Sequence, residues 1–405
     1  MRKWLGLALG VVTATGGFLD AGTVVTAGEA GAQFGLGLLW AALVATLAVM
    51  LLVEMTGRFA AVSGKPYAAA VREHFGFKFY LLPLASELIA ESVMLAAEIG
   101  GIAVAVSIAT GLPWLPLFPL AALFVWLLVY RAPFSLIENG PAVLGLVTLS
   151  FLVGIAVLGG PNEHLVRSAW PPAVGPGKLP AYLGLAAAIL GATISPYLIY
   201  FYSSGAREEG WNEADLTLNK VTAVVGMGFG SLGSIALIVL AAMVLLPQGK
   251  DGSTLPQLAS TMTRALGAPG TLLFALALFA TCTGAAFEVS LGLAYDVAQG
   301  FGWQWGEDEA PVEAARFNLV LTAVVVVSVV IGLLIQDPAS LAIVGSTLIA
   351  LFLPISLAPF LVIMNDRDEL GERTNGRLSN IATGGVVGLA FVVAVLSLVL
   401  TFVGG

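Results

Sequence analysis

Two stretches of this 405-residue chain carry residue types that could do chemistry deep within apolar runs: Thr15-Gly16-Gly17-Phe18-Leu19-Asp20-Ala21-Gly22-Thr23 and Gly191-Ala192-Thr193-Ile194-Ser195-Pro196-Tyr197. A carboxylate at such depth is a functional candidate by default, because an ion in hydrocarbon is costly without a partner. Pro196 has no N–H and its ring clashes with the preceding turn, so a helix through Ser195 must kink or unwind. What these groups offer together is oxygen coordination. Asp20 brings a formal negative charge, and the C-terminal ends of half-helices leave free carbonyls, such as those of Gly17 and Ala192, with partial negative charge. A cation suits that set and an anion does not.

Further acids stand in other apolar runs. Glu87, Glu91 and Glu98 are spaced by four and seven residues, which at 100° per residue places them within about 40° of one another on a helix, as a single acidic stripe. Such a stripe could attract hydrated cations; the bland alternative is that Glu87 sits near an interface while Glu91 and Glu98 pair with Arg or backbone donors. Glu29 and Glu288 could line an aqueous path or anchor hydrogen bonds. Gln33, Thr193, Tyr200 and Ser346 are weaker candidates. The acidic patch Glu307-Asp308-Glu309 reads as a solvated loop. A single cysteine, Cys282, excludes a disulfide framework and a thiolate zinc site, and the two histidines, His74 and His164, cannot form an HExxH pair. Cys282 and the methionines are assigned to lipid-facing or core positions. No paired catalytic constellation points to an enzyme, and no cofactor is implied. With a net charge of −8 and no basic run, nucleic acid is excluded as a partner.

The elements that position these groups are membrane spans. The chain is 58% hydrophobic and only 10% charged, too little charge to coat a soluble protein of this size, and a span needs about 20 mostly apolar residues. Hydropathy windows predict helices over Leu5–Phe34, Leu38–Phe59, Tyr80–Ala109, Leu112–Tyr130, Ile137–Leu158, Ala181–Ser204, Val221–Leu246, Thr271–Val297, Phe317–Ile335, Leu341–Met364 and Ile381–Val403. The expectation is an all-α polytopic membrane protein of 11 helices. Of the 17 basic residues, only Arg167, Lys178, Lys250 and Arg264 fall outside if the N-terminus is cytoplasmic, and Lys and Arg concentrate in cytoplasmic loops. Met1-Arg2-Lys3 and the following apolar run also resemble a signal peptide, a reading opposed by the polar residues just downstream. The two broken segments fall in the first and sixth spans, the same ordinal position of two five-helix halves, which points to an inverted-repeat transporter with its substrate site between the breaks. One transmembrane domain is expected over residues 1–405, with a first repeat over 1–158, a second over 180–365 and an added helix over 378–403.

Asp20 to Trp40, Thr56-Gly57-Arg58, Ser63-Gly64-Lys65, Ala192 to Ser204, Leu353-Pro354 and Asp366-Arg367 resemble, over nearly the whole chain, the Nramp divalent-metal transporters, members of the LeuT-type fold. The departures lie at the metal site. The usual Asp-Pro-Gly-Asn reads Asp20-Ala21-Gly22-Thr23, and the usual Met-Pro-His reads Ser195-Pro196-Tyr197. The resemblance therefore implies a metal site of Asp20, Thr23 and Ser195, completed by the Gly17 and Ala192 carbonyls, with Tyr197 and Ser346 beside it; Ser346 lies near a Gln that touches metal in the family, whereas Glu91 and Glu98 of the acidic stripe, and Glu29 and Glu288, which stand where the family is normally uncharged, are candidate pathway residues on their own chemistry. Losing the thioether moves such a site toward hard ions. These substitutions are similar to those of the Nramp-related magnesium transporter branch, which carries Mg²⁺ and is thought not to couple it to protons. Proton-coupled relatives have an Asp three residues before the helix-three Glu and a His after the helix-six Pro; Leu95 and Tyr197 stand there instead, and neither relays a proton near neutral pH. The resulting expectation is uncoupled uptake of hydrated Mg²⁺, with Mn²⁺ as a second cargo, by a monomer in the lipid bilayer of the cell membrane. The alternatives are a proton-coupled Mn²⁺/Fe²⁺ transporter and a carrier of an organic solute such as an amino acid.

Overall fold

In a computed structural model, residues 19–131, 146–170, 174–175, 177–306 and 313–403 are described, and every regular element among them is helical. The membrane-length elements are α1 (Ala21–Phe34), α2 (Leu39–Ser63), α3 (Phe77–Thr110), α4 (Trp114–Arg131), α5 (Leu146–Val157), α6 (Leu179–Thr193), α7 (Tyr197–Glu208), α8 (Glu213–Gln248), α9 (Ala268–Phe301), α10 (Ala315–Ile335), α11 (Pro338–Ile363) and α12 (Arg377–Val403). Counting α6 and α7 as one interrupted span, nine of these among the described residues are long and apolar enough to cross a membrane, and α1 and α5 are shorter. The expected residues Gly17 and Glu307-Asp308-Glu309 lie outside the described residues, as does the N-terminal part of the first expected span.

Burial separates the helices by role. α3 is covered along most of its length, with Leu95, Ala96, Ala97 and Ile99 fully enclosed, and it packs chiefly on α9 and α11. α4, α10 and α12 instead leave wide apolar faces uncovered, including Leu120, Leu319, Leu334 and Leu378. In water such faces would be a liability, but against lipid they are the ordinary outer surface of a bundle. Small residues permit the closest approaches. A Cβ on Gly191 would stand 1.9 Å from the Ser346 carbonyl oxygen, so α6 and α11 meet backbone to backbone, as small residues allow in membrane helices.

Most of the ion pairs among the described residues gather near the end of α2 and the segment before α12. Gly64 ends α2 in the left-handed conformation at φ 71°, a backbone state glycine adopts without strain. Lys65 then reaches Glu369 at 2.8 Å and Glu73 at 3.1 Å, and Arg58 donates to Glu54 and to Asn375. The motif residues Thr56 to Lys65 thus join α2 to the segment that precedes α12.

Candidate metal-binding site

The break in the sixth span falls where Pro196 demands it. α6 ends at Thr193, Ile194 leaves helical geometry at φ −105°, ψ 48°, and α7 begins at Tyr197. Pro196 stands four residues after Ala192 and has no N–H, so the Ala192 carbonyl loses its normal intrahelical partner. Ser195 Oγ donates to Glu91 Oε1 at 2.5 Å, and the Tyr197 N–H that opens α7 faces the same carboxylate. Asp20 occupies the matching place before α1. Its backbone is extended, at φ −124° and ψ 175°, and its carboxylate accepts the Thr23 N–H as an N-cap. Across from it, Glu98 accepts the Ala21 N–H through both oxygens, at 2.9 and 3.1 Å.

α3 therefore supplies one glutamate to the start of α1 and one to the break before α7. Two turns of helix separate Glu91 from Glu98, about 10 Å, which is the spacing of these two points along α3. Glu98 thus meets a backbone donor and Glu91 a side-chain hydroxyl, and neither pairs with an Arg among the described residues. Glu87, expected near an interface, is instead 2% exposed and accepts from the Ser356 hydroxyl. The correction has a simple cause: α3 is the central helix, and at Glu87 its acidic face is covered by α11.

Asp20, Thr23, Ala192 and Ser195 are all buried around the breaks, and the Thr23 hydroxyl lies beside the Asp20 carboxylate. Gly22 brings three elements together: a Cβ there would meet Met94 Cε at 2.2 Å, Ser346 Oγ at 2.6 Å and the Ala192 Cβ at 3.3 Å. Ser346 is thus in the wall of the site, with its hydroxyl donating back to the Ala342 carbonyl at 2.7 Å. The Tyr197 hydroxyl faces the Glu288 carboxylate, and α9 approaches Tyr197 closely at Gly292. Glu29 is not with this group. It lies nine residues further along α1, about 13 Å from Asp20, where it accepts from Gln33 at 2.6 Å beneath the loop carrying Asp251. The Asp251 carboxyl, outside the spans, is held below its ordinary range by the Ser253 N–H and hydroxyl.

Two sulfur atoms come close that the sequence reading assigned to filler positions. Met94 and Cys282 are both fully buried, so neither faces lipid. Met94 turns its methyl toward Gly22 and its sulfur toward Gly345, and the Cys282 thiol faces Glu98. Both sit one layer behind the breaks, in positions that register with α1 and α3 would reveal but hydropathy alone does not.

The assembled site is rich in acceptors. Among the described residues, no Lys or Arg forms an ion pair with Asp20, Glu91 or Glu98, and no group of three or more His, Cys, Asp or Glu converges on one point. A cation placed here would be held by Asp20 with neutral oxygens and water.

Comparison with known proteins agrees with this architecture. The family model described as natural resistance-associated macrophage protein-like matches residues 10–401. The chain belongs to the Nramp family. This Nramp protein is 30% identical over 392 residues to a divalent metal cation transporter MntH of Deinococcus radiodurans, covering 90% of this chain and 83% of that one. It is 25% identical over 401 residues to the MntH of Mesorhizobium japonicum, covering 95% and 85%. A mutant of the Eremococcus coleocola manganese transporter superposes with a TM-score of 0.75 at 20% identity, over 97% of this chain and 87% of that one. A nucleobase-cation-symport-1 family transporter with bromovinylhydantoin bound superposes at 0.62 and 13%, over 96% and 91%. The Nramp chain is thus a multi-pass membrane protein with the LeuT-type fold shared by these neighbours, and its relatives are transporters, not enzymes.

Proposed function

We propose that this Nramp protein carries hydrated divalent cations, Mg²⁺ foremost and Mn²⁺ second, by alternating access and without protons, as a monomer with its N-terminus in the cytoplasm. The repeat boundaries at 1–158 and 180–365, with 378–403 added, belong to this reading. The observation that carries it is the set of oxygens at Asp20 and the α6–α7 break: a carboxylate, the Thr23 and Ser195 hydroxyls and the Ala192 carbonyl freed by Pro196, with no Lys or Arg among the described residues paired to Asp20. Relatives named as divalent metal cation transporters support the substrate class.

Within that class, oxygen donors favour hard ions such as Mg²⁺ and Mn²⁺ over softer transition metals. Mg²⁺ sheds water reluctantly and is commonly bound through one or two carboxylates with several waters retained, which suits a single Asp20 among neutral groups. Mn²⁺ accepts the same donors, and the name of the Eremococcus coleocola protein, a manganese transporter, keeps it as a cargo. Against proton coupling stand Leu95, enclosed in the core, and Tyr197, whose hydroxyl is engaged with Glu288. An uncoupled divalent ion gains about 4.6 kcal/mol per 100 mV of inside-negative potential, twice the single-charge value.

Proteoliposomes containing a Mg²⁺-sensitive dye and a pH dye test both parts. Under an imposed inside-negative potential, saturable Mg²⁺ entry with no change in lumenal pH is expected. Entry of Mg²⁺ accompanied by acidification would refute the uncoupled mechanism, and absence of any Mg²⁺ or Mn²⁺ entry would refute the cargo.

A further inference from the structure

One turn along α3 from Glu91, on the side away from Glu98, a second set of buried oxygens has no role in the site described above. Glu87 accepts from the Ser356 hydroxyl through one oxygen, and Asp296 of α9 accepts from the Tyr80 hydroxyl through one oxygen. Each leaves its other oxygen buried without a partner, and so do the Tyr200 hydroxyl and the Gln299 amide oxygen. All four residues are at most 2% exposed. Tyr67 packs against Tyr200 with ring centroids 5.1 Å apart and donates to the Ser356 carbonyl at 2.6 Å, while Gln299 Nε2 is engaged by Ser204 at 2.7 Å. The free atoms are therefore held in place by neighbours that use the remaining valences.

These oxygens share neighbours but do not bond one another. Ser356 and Tyr67 connect Glu87 to Tyr200, and Ser204 connects Tyr200 to Gln299, one turn along α9 from Asp296, yet none of the four free atoms makes a hydrogen bond to another. Among the described residues no Lys or Arg pairs with Glu87 or Asp296. Arg72 directs Nη1 to the Gln299 and Gly300 carbonyls at 3.3 and 3.4 Å and pairs with Glu73 at 3.8 Å. Two carboxylates enclosed without a cation are costly as anions, and a set of carboxylate, phenol and amide oxygens suits a hard divalent ion that keeps part of its water.

We propose that Glu87, Asp296, Tyr200 and Gln299 form a second divalent-cation site, a station one helical turn inward from Glu91 on the way to the cytoplasm. This rests on the transport reading above, because it is that reading which supplies the ion and its direction. Glu91 lies between the two sites and would pass the ion from one to the other.

The full-length protein is titrated with Mn²⁺ to millimolar concentration and bound metal is counted by electron paramagnetic resonance. Two Mn²⁺ per chain are expected for the intact protein, one for Asp20→Asn, one for Asp296→Asn and none for the double variant, with excess Mg²⁺ displacing both. Tyr200→Phe, which keeps the ring and removes the free oxygen, is expected to weaken the Asp296 site alone. A single Mn²⁺ in the intact protein, or none in Asp20→Asn, overturns the second site while leaving the Asp20 site standing, and assigns the cluster to water or protons. No Mn²⁺ in the intact protein overturns the cation reading itself.

Discussion

Asp20 has two separable duties, and a pair of substitutions distinguishes them. As an N-cap it satisfies the Thr23 N–H at the start of α1; as an anion it is the formal charge of the candidate site. Asn caps as well as Asp, whereas Ala loses about 1 kcal/mol at such a position. Asp20→Asn should therefore unfold at nearly the temperature of the intact protein, and Asp20→Ala measurably below it. The charge effect is larger. A divalent ion held one water away, about 4.5 Å from the carboxylate, gains roughly 7 kcal/mol at an effective dielectric of 20. If water returning to the neutral site offsets two thirds of this, about 2.5 kcal/mol remains, or roughly 60-fold in affinity. Both variants should then lose saturable Mg²⁺ influx under an inside-negative potential, at ion concentrations that saturate the intact protein. The assay is dye-reported influx alongside thermal unfolding of the same preparations. Influx by Asp20→Asn within threefold of the intact protein would refute the charge assignment, and equal destabilisation by Asn and Ala would refute the capping geometry.

Three further outcomes follow from particular contacts. Gly191→Ala places a Cβ 1.9 Å from the Ser346 carbonyl oxygen, a backbone atom that cannot yield cheaply; a loss of about 3 kcal/mol or more is expected from such overpacking, read as a lowered unfolding temperature. Ser195→Met returns a thioether to the break and should make Mg²⁺ influx more sensitive to Cd²⁺, so unchanged Cd²⁺ inhibition would discount sulfur as the selectivity element. Glu369, and then Glu73, raise the Lys65 ammonium above its ordinary 10.5; because the folded value is the higher one, this tie is fully present below pH 10.5 and is lost as pH rises through the raised value. Thermal unfolding of the intact protein and Lys65→Met should therefore converge at high pH, and a difference that grows there would contradict the pairing.

Much of the fold was legible because a bilayer imposes simple rules. The apolar runs coincide with helices, and Pro196 marks the interruption to within a residue, since a missing N–H acts locally whatever packs around it. Asp20 was legible for the same reason: a lone carboxylate in an apolar run needs an explanation. The partners of the breaks were not. That Glu98 serves Ala21 and Glu91 serves Ser195 depends on α3 running past both, a tertiary fact that the spacing of three glutamates allows but does not specify. Ala21 and Glu98 are 77 residues apart. Asp296 escaped notice because it falls in the last turn of its predicted span, where an acid reads as interfacial; the run Leu293-Ala294-Tyr295-Asp296-Val297-Ala298, apolar on both sides, was the available signal. Met94 was hidden by its chemistry, since a methionine is at home anywhere in a core.

The glutamates of α3 also bear on the organic-solute alternative. In broken-helix transporters the N-termini of half-helices offer free N–H groups and positive dipole ends, and these bind anionic substrate groups such as the carboxylate of an amino acid. Here those donors face the protein's own anions: the Ala21 N–H goes to Glu98, the Thr23 N–H to Asp20, and the Tyr197 N–H faces Glu91. A substrate carboxylate would have to displace a buried glutamate and then remain beside it, with no Lys or Arg among the described residues paired there to offset the repulsion. The same arrangement favours a cation twice over, because the dipole ends that would repel it are already neutralised, and Asp20 is left with charge to spare. A broken-helix scaffold shared with carriers of organic molecules is thus turned to cations by three carboxylates, two of them on a helix that itself has no break.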